Sequence, residues 1–290
     1  MSDRSFQKAQ KRAAAEIFWN RRRRTLFVLG AAVLYLTVTL AAGWFMSPEC
    51  YDIDYSAKFT APCPAHLFGT DYMGRDMFFR SVKGLSNSIG VGILASAISS
   101  VIALILGTAA ALQGGALDRF INWCVDLCMG IPHLILLILI SFMAGKGGRG
   151  VLIAVALTHW PELTRLVRAE VLQIRSARYV QASYRMGKTR REVAKEHILP
   201  QALPVYLIGA VLLFPHAIMH EAAITFLGFG FPAEVPAIGV ILSESMNHIT
   251  TGKWWMAVFP GLMLLTAVML LDAAGENLKR LLNPNSGNEA

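Results

Sequence analysis

Residues 179–204 read Tyr-Val-Gln-Ala-Ser-Tyr-Arg-Met-Gly-Lys-Thr-Arg-Arg-Glu-Val-Ala-Lys-Glu-His-Ile-Leu-Pro-Gln-Ala-Leu-Pro. The stretch is basic, lies between two apolar segments, carries a central Gly187 and closes on Leu199-Pro200. Within it, Ala182, Gly187, Lys188 and Thr189 satisfy a loose phosphate-loop spacing. A phosphate loop needs small residues after a β-strand, so that its backbone amides can wrap the phosphates. Ser183, Tyr184, Arg185 and Met186 are too bulky as a set, and no strand pattern precedes them. The match is accidental, and nucleotide binding is not expected here.

Outward from this stretch, composition sets the class. Hydrophobic residues make up 54% of 290 and charged residues 16%, and the mean hydropathy is +0.47. Soluble domains are about a quarter charged, so a membrane protein is expected. Residues 25–46 contain no charge and are long enough to cross about 30 Å of hydrocarbon. Further spans are read within 84–117, within 120–145 (interrupted by Asp126), within 202–233 (interrupted by Glu221) and over 254–271.

The segment 150–161 is ambiguous by length, and charge asymmetry decides it. With six spans and the amino terminus inside, inner segments hold 20 of the 27 Lys and Arg residues. Without a crossing there, the nine basic residues from Arg165 to Lys195 would sit outside, against the positive-inside tendency. The span must then run past Pro161, with Arg165 and Arg168 reaching the inner headgroups. The run Arg21 to Arg24 reads as a stop against anionic lipid rather than a nucleic-acid patch. The first span lacks a cleavage pattern and is read as retained.

The 179–204 stretch resembles the cytoplasmic coupling loop of ABC importer permeases. That pattern is acidic-Ala-Ala, three residues, Gly, nine residues, then Ile-x-Leu-Pro. Gln181, Ala182, Ser183, Gly187, Leu199 and Pro200 fall in register, with Gln181 in place of the acid and His197 in place of the Ile. A second stretch, from His66 to Arg80, resembles the outer signature of one subfamily, the second permease of dipeptide, oligopeptide and nickel importers. Gly69, Thr70, Asp71, Gly74, Arg75 and Asp76 match it. Asp118, Asp126, Pro132, Tyr179-Val180, Phe226-Leu227-Gly228, Pro260-Gly261 and Asn283-Pro284 extend the likeness to residue 284.

The resemblance implies an all-α membrane protein, a type I ABC importer permease bundle of six helices with both termini cytoplasmic in the inner membrane. It implies a basic cytoplasmic tail over 1–24, a first span over 25–46 and an extracytoplasmic segment over 47–83. A permease core over 84–275 would follow, with its coupling loop at about 165–203, and a cytoplasmic tail over 276–290. Tyr179, Gln181, Ala182, Ser183, Gly187, Leu199 and Pro200 would couple the chain to an ATPase, by two short helices with a turn at Gly187 docking in a groove. Implied partners are a homologous second permease, two ATPase subunits, an extracytoplasmic solute-binding protein and membrane lipid, with no nucleic acid. This chain would bind no cofactor of its own, ATP and magnesium residing on the ATPases.

On the outer segment, Gly69 and Gly74 permit turns, and Asp71 and Arg75 are spaced to pair on a short helix. Phe68, Met73, Met77 and Phe78 would face the bilayer or the next span. The segment reads as a structural cap over the bundle or as a docking surface for the solute-binding protein, the cap being preferred. Cys50 and Cys63 share this segment and are a candidate disulfide.

Cargo must be read from residues inside the spans. His216 and His220 are four apart with Met219 beside them, and Glu221 is the only acid of its apolar stretch. Ionisable groups in a bilayer usually face a cavity or a partner. Imidazole suits nickel and copper better than magnesium or calcium, so His216 and His220 are read as transient metal ligands. Met219 and Glu221 would line the same pathway. The His-Met-rich stretch resembles the nickel branch, and nickel or a nickel chelate is the favoured cargo, with a dipeptide or oligopeptide as the alternative. Interhelical hydrogen bonding by the two histidines remains the structural alternative. Cys124 and Cys128, with Asp126, Met129 and His133 nearby, are read as apolar packing. An intramembrane metalloenzyme is a distant alternative, because Ile224 stands where His-Glu-x-x-His needs its second His.

Overall fold

The computed structural model describes residues 3–282, with the side chains of Arg23 and residues 25–280. Asn283-Pro284 and the remaining basic side chains of residues 1–24 lie outside the described residues. The long apolar runs lie within long helices: α1 (Asp3–Phe45), α2 (Met77–Gln113), α9 (Leu199–Phe226) and α11 (Trp255–Leu282). Each contains a window long and apolar enough to cross a membrane. α3 (Gly115–Gly130) and α4 (His133–Met143) make a fifth such window together, bent by 98°. The stretch read as the third span is therefore broken by this bend. Pro132 clashes with a helical residue before it, and Ile131 is pushed to φ −92°, ψ 136°.

α5 (Gly147–Thr158) and α6 (Trp160–Ser176) are separated only by His159, so the chain does continue as helix past Pro161. Pro161 sits in the first turn of α6, where a missing amide costs no hydrogen bond. This pair is not among the four or five stretches long and apolar enough to cross a membrane. The short helices are α7 (Arg178–Arg185), α8 (Arg190–Val193) and α10 (Ile238–Ile249), and no strand is present among the described residues.

The central helix is α2, against which α1, α5, α6 and α9 pack. Its buried face is built from small residues, including Gly84, Ser88, Gly92, Ala95, Ser99, Ala103 and Gly107. Between apolar helices in lipid, close backbone approach and packing replace the hydrophobic drive, and small residues permit that approach. Ser99 adds a hydrogen bond from its hydroxyl to the Ala156 carbonyl, 2.6 Å. Arg165 and Arg168, expected at the inner headgroups, both have carboxylate partners within the protein. Arg165 pairs with Asp126 and Arg168 makes a two-pronged contact with Asp118, at 2.6 and 2.7 Å, so the cations tie α6 to α3.

The segment between α1 and α2 is latched by a buried charge cluster. Asp71, fully buried, accepts from the amides of Met73 (2.8 Å) and Arg75 (3.0 Å) through one carboxylate oxygen. Its other oxygen accepts from Arg75 Nε (2.7 Å) and Arg80 Nη1 (3.0 Å). Both arginines also reach Glu244 of α10, at 3.2 and 2.6 Å. The expected Asp71–Arg75 pair therefore forms, but on a bridged turn rather than a helix, and inside rather than on the surface. Asp76 caps α2 through the amides of Phe78 and Phe79 and holds His66 at 2.8 Å. Phe68 stacks on Phe259 of α11 at 4.5 Å, and Met77 is buried beside Met256.

Gly74 has φ +81°, and a Cβ there would lie 1.6 Å from the Asp54 carbonyl oxygen. Gly74→Ala is expected to cost about 2–5 kcal/mol, the sum of left-handed strain and overpacking. Thermal unfolding of the purified variant checks it, and a wild-type midpoint would refute the close approach. The candidate Cys50–Cys63 bridge is not formed, and all four cysteines are free thiols. Cys50 belongs to the turn Pro48–Tyr51, while Cys63 is fixed separately by paired backbone hydrogen bonds to His66, both 3.0 Å.

Candidate functional site

Two regions gather the residues singled out by the sequence. In the first, α7 ends at Arg185, Met186 caps it, and Gly187 follows with φ +88°, a backbone region that favours glycine. Thr189 then caps α8 reciprocally with Glu192: the Thr189 amide donates to Glu192 at 2.7 Å, and the Glu192 amide donates to Thr189 at 3.3 Å. A π-helical turn, Ala194–Ile198, leads into α9. Val180, Val193 and Ile198 are buried against Val167, Val171 and Ile174 of α6, which fixes the whole turn to the bundle.

The opposite side is exposed, including Tyr179, Gln181, Ala182, Met186, Arg190, Arg191, Leu199 and Pro200. Ser183 is not on that surface. It is buried, with its hydroxyl 3.1 Å from both the Tyr179 carbonyl and His197 Nε2. Gln181 donates to the Arg175 carbonyl (2.9 Å), and Tyr179 donates to Gln201. Lys188 pairs with Glu196 rather than standing over a phosphate cradle.

The second region lies where helices break. His133 opens α4 just after the bend, His159 separates α5 from α6, and His220 projects from α9. Their rings approach to centroid separations of 4.5–4.9 Å, and one ligand atom from each lies within 4.8 Å of the others. His159 Nδ1 is 2.9 Å from the Val155 carbonyl, to which its N–H donates, so the Nε2 lone pair faces His220 Nδ1 at 3.0 Å. His133 Nε2 is buried with no hydrogen-bond partner.

The trio lines a cavity of about 550 Å³ with Cys128, Met129, Glu162 and His216. A neighbouring cavity of about 790 Å³ shares Glu162 and His216 and adds Asp272 and Glu276. The structure thus separates what the sequence grouped. His220 joins His133 and His159, whereas His216 stays on the wall, its carbonyl 2.9 Å from His220 Nδ1. Met219 is half exposed and lines neither cavity. Glu221 is fully buried and accepts from Thr225 at 2.8 Å, also away from both. His159 was not singled out, although a lone imidazole closing an apolar segment was the available signal. Cys124 and Cys128 pack half buried against the core that includes Val125, as expected.

Residues 99–284 match the family model described as "Binding-protein-dependent transport system inner membrane component". The dipeptide transport system permease protein DppC of Bacillus subtilis (strain 168) is 30% identical over 269 residues, covering 92% of this chain and 84% of that protein. The probable D,D-dipeptide transport system permease protein DdpC of Escherichia coli (strain K12) is 30% identical over 283 residues, covering 97% and 95%. Among solved structures, an inward-facing MetNI methionine ABC transporter chain superposes with a TM-score of 0.60 at 20% identity, over 71% of this chain and 97% of that one.

Proposed function

This chain belongs to the family of binding-protein-dependent transport system inner membrane components, and from that premise we propose that it conducts a short peptide. It is a multi-pass inner-membrane permease subunit of an ABC importer, not an enzyme, and it works with ATPase and substrate-binding partners. The observation that carries the peptide reading is the near full-length similarity to two dipeptide permeases. Both termini lie in the cytoplasm, a homologous permease completes the pathway, and two ATPases sit beneath the pair. The exposed faces of α7 and α8 dock in the ATPase groove. ATP-driven closure draws the two coupling loops together, and hydrolysis resets them.

A second reading, nickel or a nickel chelate as cargo, is favoured by the imidazoles lining the cavity. Uptake of labelled dipeptide and of nickel by the assembled importer, run side by side, decides between them. Dipeptide uptake without nickel uptake supports the first reading, and the reverse replaces it. Replacing His216 and His220 together with Leu is expected to slow nickel uptake severalfold per assembled complex if the second reading holds. Were these histidines only interhelical bonding groups, worth about 0.6 kcal/mol each, both uptake rates would stay unchanged.

A further inference from the structure

We infer that His133, His159 and His220 form a coordination site for a divalent transition-metal cation of borderline softness, such as nickel, cobalt or zinc. The inference rests on the permease reading only in treating the cavity as part of the transport route. It replaces the pair His216 and His220 with a different ligand set. Three imidazoles arrive from three separate elements, with one ligand atom from each within 4.8 Å of the others. Ligands at 2.0–2.1 Å around a tetrahedral cation lie about 3.3 Å apart, so modest ring rotation closes the set.

Two details go beyond the single ring-to-ring hydrogen bond, His159 Nε2 to His220 Nδ1 at 3.0 Å. The Val155 carbonyl receives the His159 Nδ1–H and leaves Nε2 facing the other rings, which is how a supporting partner orients a metal-binding imidazole. His133 Nε2 is buried and unpartnered, whereas a cluster built for hydrogen bonding alone would satisfy it. Imidazole nitrogens favour these cations over magnesium or calcium, and Cys128, Met129 and Glu162 line the same wall. The donor set is three nitrogens and leaves a fourth position open, unlike a closed four-ligand cage, and an open position lets ligands exchange as cargo enters and leaves. Two of the three ligands sit at helix breaks, where small helix movements change their spacing.

The test is cobalt binding to the assembled importer in detergent, read by visible absorption after metal is stripped. About one equivalent of cobalt per copy of this chain is expected, displaced by nickel and zinc but not by magnesium. His133→Gln, His159→Gln and His220→Gln should each weaken binding at least about tenfold, the minimum seen on losing even a supporting partner. His248→Gln, on α10 and outside the cavity lining, should leave binding unchanged. For any variant that fails to assemble, X-ray absorption of the cobalt-loaded wild type substitutes, with three imidazoles expected at about 2.0–2.1 Å. No cobalt bound, magnesium competition, fewer than two imidazoles, or indifference to all three substitutions overturns the site. Intact dipeptide uptake alongside such a result refutes the metal site alone, whereas loss of uptake of every cargo by the wild type refutes the permease reading.

Discussion

Replacing Asp71 with Ala is expected to destabilise the assembled permease by about 3–5 kcal/mol, the cost of stranding buried charge. Asp71 is fully buried and Arg80 is 2% exposed. Without the carboxylate, Arg75 and Arg80 share only Glu244, and one positive charge loses its counterpart. The amides of Met73 and Arg75 lose their acceptor as well. Asp71→Asn keeps an oxygen for those amides and should cost less. Adding Arg80→Met to Asp71→Ala should recover part of the loss, because the stranded cation is then removed.

Arg165→Ala provides the contrast. Its pair with Asp126 is exposed, at 48% and 65%, and its removal should change stability by less than about 1 kcal/mol. Thermal unfolding of the four variants in detergent reads the series. An Asp71→Ala protein as stable as the wild type would mean that the latch contributes nothing to holding α2 against α10.

Gly187→Leu is expected to cut uptake per assembled complex at least about fivefold while expression holds. Gly187 is exposed and no atom lies within 4 Å of a Cβ built there, so the Cβ itself meets no clash. The cost is in the backbone: φ +88° disfavours a side chain by about 1–2 kcal/mol. That is a factor of about 5–30 in the population of the turn. The turn sets the direction of α8 relative to α7, and α7 is fixed to α6 by Val180, so the exposed surface proposed to couple to the ATPase is misaligned while the bundle stays intact. Gly187→Asn, which tolerates this region better, should transport nearly as well as the wild type. The measurements are uptake and the amount of ATPase retained on the purified complex. Normal transport by the leucine variant would remove the coupling role from this turn.

The histidines mark where reading a sequence stops. His216 and His220 were legible as neighbours because a helix repeats every 3.6 residues, so a spacing of four places two side chains on one face. The contact that forms, between His220 and His159, joins residues 61 apart and depends on how α9 crosses the α5–α6 break. Similarly, Asp71 and Arg75 were legible as a pair, but Glu244, which completes the cluster from 169 residues beyond Arg75, was not.

By itself the sequence determined what depends on short windows of chain. These are the long apolar helices, the helical path past Pro161 and the need for glycine at 187. Each follows from side-chain polarity or backbone sterics within a few residues. The 98° bend was also locally encoded, in the Ile131-Pro132 step, although its size was not. Only the tertiary structure decided which polar groups meet. It turned Arg165 and Arg168 to α3, buried the Asp71 cluster against α10 and drew three imidazoles from three elements to one cavity wall. In an apolar bundle, polar side chains take whichever partner helix packing brings within about 3 Å. That packing is set by small-residue faces such as the one along α2, whose matching partners lie far away in the chain.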